Sequence, residues 1–406
     1  MAQFTQTIAG DVRDPYPALN ERRKRTAAEL AAGPGIGVKD EPKNVLHVYD
    51  YEHVAGVLHD PETFTSEIIR RHMTPVMGPS VLVGLDGEEH RVRRSLVSKA
   101  FRQRSIARWD EELVKPTVHG LIDKFAPRGS AELVREFTYL FPVHVIARIL
   151  GIPARDHDFF RERGLWVVSL SADPSRGINA SRELRSYFED VIAIRRKEPG
   201  DDLISHLIEA EIDGERLSDD EIQSFLLFLL PAGVETTYRA TGNLLFGLLT
   251  HADQLDAVRQ DRSLMSAAVE EALRWEPPML QIPRVTAAAT IVAGVAVPAE
   301  TEVSYCIGSA NRDDGRWDEP DRFDLHRVPR QHLAFGSGVH LCLGMHLARM
   351  EMASATMALI DRLPGLKMDP QAKERDPHVH GERFRSPTSL PVTFQPTPLR
   401  RARRKT

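Results

Sequence analysis

One cysteine stands in a setting that could do chemistry. Cys342 ends the segment Phe335-Gly336-Ser337-Gly338-Val339-His340-Leu341-Cys342, just before Leu343-Gly344 and a run with helical spacing (Met345, Leu347, Ala348, Met350, Met352). A thiolate needs nearby positive potential to stay ionised, and a helix N-terminus supplies it through unpaired N–H groups and the macrodipole. Gly336 and Gly338 allow backbone angles that let the loop lie close to something flat, and Phe335 offers it an apolar partner. A lone cysteine is otherwise a small buried hydrophobe. That is our reading of Cys306, in the β-like run Val303-Ser304-Tyr305-Cys306-Ile307. With only two cysteines and no paired spacing, zinc and a disulfide framework are both disfavoured, and a reducing compartment fits.

Other residues are grouped by helical spacing. Asp86-Gly87-Glu88-Glu89 opens a helix on which His90 and Arg94, four apart, share a face. Glu271 and Arg274 form an i, i+3 carboxylate–guanidinium pair on a helix ending at Pro277-Pro278. Apolar neighbours (Val269, Ala272, Leu273, Trp275) hint that the pair is buried. Glu235 and Thr236 follow Pro231-Ala232-Gly233 in the middle of an apolar helical pattern.

That pattern begins at a capping box, Ser218-Asp219-Asp220-Glu221, and runs to about Leu249. At about 1.5 Å per residue the helix spans on the order of 45–50 Å, with a kink expected at Pro231. Val45–Tyr49 reads as an early strand, and Pro391–Phe394 as a terminal one. Ala289–Pro298 and Glu302–Tyr305 read as strands joined by tight turns. Long helices with small peripheral sheets predict a mostly α architecture of α+β type.

The 406 residues show no linker, repeat or low-complexity tract. A net charge of −5 argues against a nucleic-acid binder. Met1–Gln6 lacks the marks of a signal peptide, and the longest apolar stretch, Phe225 to Val234, is too short for a bilayer. A soluble, cytoplasmic protein without a membrane anchor is expected. The basic run Arg400–Lys405 reads as a solvated tail.

The order Phe-Gly-x-Gly-x-His-x-Cys-x-Gly resembles the haem-binding loop of the cytochrome P450 family. Ala232-Gly233-Val234-Glu235-Thr236-Thr237 resembles that family's oxygen-activating motif. The resemblance runs from about Pro15 to Pro396. It implies the mostly helical monooxygenase fold in a single domain, 1–406, with a long kinked helix over the haem and flexible tails at about 1–14 and 397–406. It implies haem b (iron protoporphyrin IX), with Cys342 as iron ligand and Phe335, Gly336, His340 and Gly344 around it. Ala232 and Gly233 are then on the opposite side of the haem, with Glu235 and Thr236 delivering protons to bound O2. His90, Arg94, Arg284 and His340 match the family's propionate contacts. Glu271 and Arg274, with Arg322 of Pro320-Asp321-Arg322-Phe323, match a structural triad bracing the haem loop, and Asn311-Arg312-Asp313 a further structural signature.

The same resemblance implies hydroxylation of an apolar small molecule: a terpenoid, steroid, fatty acyl or aromatic compound. Phe228, Leu229, Ala232, Met279, Leu280, Ile282, Val81, Leu82, Val83 and Phe384 are the expected lining. Arg70 and Arg71 could meet a substrate carboxylate or lie in a solvated loop. With no flavin or iron–sulfur motif, electrons are expected from a separate ferredoxin and ferredoxin reductase. Arg102, Arg104 and Arg108 could form part of the docking face. The alternatives are a peroxide-using haem-thiolate enzyme and a non-catalytic haem sensor.

Overall fold

The computed structural model describes residues 13–34, 42–99, 103–168, 173–372 and 375–399. Helices dominate, and the sheets are small and peripheral, as the sequence predicts. The long apolar pattern is helical from Asp219 to Leu230 and again from Thr236 to Thr250. Ser218 makes both halves of its capping box with Glu221, which fixes where the helix starts. The predicted break falls at Pro231–Glu235, which forms one wide π-type turn. A proline cannot supply its N–H to the helical ladder, and one extra residue in that turn takes up the mismatch.

The main sheet has five strands, in the order Ala28–Pro34, Pro42–Val48, Glu302–Tyr305, Ile282–Thr286, Phe64–Thr65. Pro42–Val48 and Glu302–Tyr305 run parallel, whereas the other neighbours are antiparallel. The predicted pairing of Ala289–Pro298 with Glu302–Tyr305 is therefore corrected. Thr290–Val292 and Val295–Val297 close on each other as a hairpin. Ala293 and Gly294 turn it at φ of 49° and 79°, the two left-handed residues that a tight hairpin turn requires. Glu302–Tyr305 pairs with Ile282–Thr286 instead, tying the end of the Glu271 helix into the sheet. Pro391–Thr393 is a strand as expected, between Lys367–Met368 and Ser130–Glu132.

Three layers position the site. A large apolar core surrounds the broken helix, and a second cluster lies under the five-stranded sheet. A third is built from the helices Thr236–Thr250, Met265–Trp275 and Met345–Arg362. The last of these begins at Met345, directly after Gly344, so Cys342 stands just ahead of a helix N-terminus. Among the described residues no helix is long and apolar enough to cross a membrane.

Candidate functional site

The cysteine loop is folded on itself. The Cys342 N–H donates to the Phe335 carbonyl at 2.9 Å, and the Gly336 N–H to the Leu333 carbonyl at 2.8 Å. Gly336 and Gly338 have φ of 71° and 67°, in the left-handed region that favours glycine. At Gly338 space also forbids a side chain, because a Cβ would lie 2.3 Å from the Leu58 carbonyl oxygen. The close approach at that glycine is thus to the Leu58–His59 backbone. Burial pushes the Cys342 thiol up, while the Gly344 N–H hydrogen bond and the Arg94 and Arg349 guanidiniums pull it down. Cys306, by contrast, is fully buried and pushed up by burial to about 11. Burial dominates at both thiols, and what sets Cys342 apart is its place in the loop ahead of a helix N-terminus beside Arg94.

Beside the loop lies a group of cations. His90 is buried, and its ring stacks against His340 with centroids 4.1 Å apart. Arg94 donates through Nη2 to the Leu341 carbonyl, one residue from Cys342. Arg284 is buried on the strand Ile282–Thr286. Asp86 is the acid of the cluster, with Oδ1 3.4 Å from His340 Nε2, and it accepts from the Ser66 N–H at 2.7 Å. Burial, His340 and Arg94 together press His90 down to about 4. Its Nε2 is enclosed with no hydrogen-bond partner among the described residues. A buried donor left unpaired beside two arginines is costly unless an anion belongs there. The cluster fits a ligand carrying carboxylates, and with Cys342 adjacent it fits haem b with its propionates on His90, Arg94, Arg284 and His340.

The broken helix carries the other expected site residues. The Thr236 hydroxyl donates to the Ala232 carbonyl at 2.6 Å, one turn back within the helix. Phe228, Ala232 and Thr236 recur at i, i+4, i+8 and are all half-buried, a stripe open to space rather than packed away. Gly233 also has a packing role. A Cβ there would meet Ile146 at 3.2 Å, so the glycine admits the neighbouring helix Phe141–Ile149. Glu235 does not face solvent. It is buried, and its Oε1 accepts from Arg239 Nη2 at 2.8 Å.

Several expected pocket residues are placed otherwise. Leu280 packs with Tyr16, Tyr49 and Cys306 in a separate small core, because its backbone pairs with Arg383 and Gly308. Val81, Leu82 and Leu229 belong to the main core, Val81 fully enclosed. Ile282 packs beside the cluster of Ile68, Ile69 and Val285. Val83 is half-buried against the main core. Met279 and Phe384 stay half-buried and pair with each other through an isolated β-bridge. Arg71 is tied to Glu67 at 3.0 Å, and Arg70 lies 3.9 Å from Glu89, both on the surface.

The bracing triad is also corrected. Glu271 is gripped by Arg274, at 2.7 and 2.8 Å, in a fully buried pair. The third member is Arg327, whose Nε lies 3.2 Å from Glu271 Oε1. Arg322 points its guanidinium outward to Glu319 and serves through its carbonyl, which accepts from Arg274 Nη2 at 3.1 Å. Asn311 links this network to the cysteine loop, since its Oδ1 accepts from the Leu333 N–H at 2.8 Å. Its carbonyl accepts from Arg274. Sequence reading also missed Glu270, which holds Arg349 at 2.6 and 2.9 Å while Arg349 lies over the Phe335 ring at 4.5 Å. Arg239 was missed too, although its i+4 spacing from Glu235 was legible. Of the expected docking arginines, Arg102 and the Arg104 side chain lie outside the described residues. Arg108 is engaged with Asp201 at 2.5 and 3.1 Å.

Comparison with known proteins gives a consistent result. A family model described as "Cytochrome P450" matches residues 175–380. Cytochrome P450 107B1 of Saccharopolyspora erythraea is 37% identical over 339 residues, covering 78% of this chain and 82% of the relative. Erythromycin C-12 hydroxylase of the same organism is 38% identical, covering 80% and 83%. The crystal structure of CYP109E1 from Bacillus megaterium in complex with testosterone superposes with a TM-score of 0.85 at 28% identity, over 94% of this chain and 99% of that one.

Proposed function

This chain belongs to the cytochrome P450 family of haem b monooxygenases, and from that premise we propose that it hydroxylates a bulky apolar small molecule with O2 and electrons from a separate ferredoxin and ferredoxin reductase. The observation that carries the assignment of the site is the position of Cys342. Its sulfur accepts a hydrogen bond from the Gly344 N–H, beside Arg94 and one residue after the Leu341 carbonyl that Arg94 binds. Haem b, when bound, supplies the iron at which O2 is held and activated.

The chain's own residues then divide the work. Cys342 would ligate the iron, with the Gly344 N–H tempering its electron donation. His90, Arg94, Arg284 and His340 would neutralise and hold the propionates. Thr236, on the half-open face of the broken helix, holds a proton donor close to the oxygen side, and Glu235 on the adjacent position is the acid that resupplies it. Glu271, Arg274, Arg327 and Asn311 stiffen the loop from behind, so that the sulfur stays in place. Phe228, Ala232, Met279 and Phe384 are the apolar contacts for substrate. Macrocyclic or steroid-sized compounds suit this reading, since a relative is named as an erythromycin hydroxylase and a neighbour was crystallised with testosterone.

The chain acts as a single domain, because the proposed site draws on residues from Asp86 to Phe384. Two free thiols suit the cytoplasm, where no oxidising system would pair them. The test is a substrate screen read by the low- to high-spin shift of the haem, followed by turnover with a reconstituted ferredoxin chain. A compound that shifts the spin state and is hydroxylated supports the reading. Haem incorporation without turnover of any shifting compound would favour the sensor alternative.

A further inference from the structure

Glu235 is enclosed in the middle of the broken helix, and its partner is on the same helix. Arg239 donates to Glu235 Oε1 through Nη2 at 2.8 Å and Nε at 3.3 Å. The Arg239 side chain is wholly buried and that of Glu235 is 9% exposed. The guanidinium is itself clamped. Its Nη1 donates to Ser386 Oγ at 3.1 Å, and it lies 5.0 Å from the Tyr238 ring and 5.4 Å from the Phe384 ring. Tyr139 packs edge-on against Tyr238 at 4.9 Å from the other side. Among the described residues the titratable and charged groups that face the pair include Tyr238 on its own helix and Tyr139 from the neighbouring segment.

A buried ion pair is a weak source of stability, because desolvation of both charges offsets their attraction. The position of this one suggests another use. Glu235 immediately precedes Thr236, and burial raises the affinity of Glu235 for a proton while Arg239 lowers it. Burial prevails, so that affinity stays above the ordinary carboxylate value, and Arg239 turns Oε1 toward the next helical turn. The clamp on the guanidinium means that Glu235, not Arg239, must move when the contact opens.

We propose that Arg239 is a positioning residue for the proton path: clamped by Ser386, Tyr238 and Phe384, it holds Glu235 in a reserve position from which the acid serves Thr236 only when the Glu235–Arg239 contact opens. This rests on the proposed relay role of Glu235 and Thr236. The proton that moves is taken from water by Glu235 and passed toward the Thr236 hydroxyl, and no other atom changes hands.

The test uses the holoenzyme and two readouts. The first is the infrared carbonyl band of a protonated carboxylic acid, identified as Glu235 by its loss in Glu235→Gln and followed against pH. Arg239→Met should move that titration upward by about 1–3 pH units, the usual effect of removing one close opposite charge, whereas Arg239→Lys should shift it little. The second is coupling, product formed per NAD(P)H consumed. Arg239→Met should lower it about tenfold, less than the roughly 10²–10⁴-fold that general acid–base catalysis supplies as a whole. If Arg239→Met fails to fold, Ser386→Ala removes only the anchor and should shift both readouts in the same direction by less. Normal coupling in Glu235→Gln would overturn the relay reading itself. Uncoupling in Glu235→Gln, with wild-type titration and coupling in Arg239→Met, or in Ser386→Ala where Arg239→Met does not fold, would overturn the role of Arg239 alone.

Discussion

Arg327 Nε lies 3.2 Å from Glu271 Oε1, and Arg274 grips both oxygens of the same carboxylate. Glu271 also accepts the Asp324 N–H at 2.9 Å, so one buried acid joins a helix to the loop segment that leads into the cysteine. Glu271→Ala would strand two arginines, and breaking such a buried pair costs about 3–5 kcal/mol. The expected result is little soluble, haem-loaded protein, read by the yield and by the denaturation midpoint. Arg327→Ala should cost about 1.5–3 kcal/mol, as for hydrogen bonds to a charged group. Arg322→Ala should stay within about 0.5 kcal/mol, because its guanidinium is on the surface and its carbonyl remains. Equal losses for the two arginines would refute the reassigned triad.

Thr236 is asked to do two things: hydrogen-bond the Ala232 carbonyl and hold a proton donor on the open face. Thr236→Ser keeps both and should retain coupling. Thr236→Ala should bind haem and substrate normally yet lose roughly tenfold in product per NAD(P)H, with the balance appearing as peroxide. Wild-type coupling in Thr236→Ala would move the relay to another residue.

Glu270 supplies a pH test of the proximal side. Burial works against its charge, but the His332 ring 3.3 Å away and the hydrogen bonds from Arg349 outweigh that and bring it down to about 2. Unfolded, a glutamate titrates near 4.3, so the stability it lends is fully present above about pH 5 and drains away as pH falls toward about 2. The denaturation-midpoint gap between wild type and Glu270→Gln should therefore be widest at neutral pH and narrow steadily on acidification. A gap independent of pH would show that the carboxylate is not held by those cations.

Arg108 bears on the electron donor. Its pairing with Asp201 leaves it spoken for, so Arg108→Glu alone should change the first electron-transfer rate little. If the donor is steered by other surface charges, that rate should fall as salt is raised, since screening acts over about 8–10 Å at ordinary ionic strength. Stopped-flow reduction at several salt concentrations checks both. A large loss in Arg108→Glu would return that residue to the docking face.

How much of this was legible in the sequence differs from residue to residue. The broken helix was, because a capping box, a continuous apolar pattern and an internal proline are all local signals. The cysteine loop was, because its glycines mark a left-handed backbone geometry that side chains disfavour. The strand partners of Glu302–Tyr305 were not, since pairing is decided by contacts far apart in the chain. Arg322 and Arg327 illustrate the same limit. Both follow the Glu271 helix by about fifty residues, and only the turn through Asp324 decides which guanidinium faces inward. The enclosure of Glu235 was likewise hidden, since a charged residue read from sequence is taken to face water.

The central claim is that Cys342 is the thiolate ligand and Cys306 is core. The most direct measurement is the reduced-CO absorption spectrum of wild type, Cys342→Ala and Cys306→Ala. Wild type and Cys306→Ala should give the red-shifted band of a thiolate-ligated haem, and Cys342→Ala should lack it. The band persisting in Cys342→Ala, or vanishing in a folded, haem-loaded Cys306→Ala, would contradict the account.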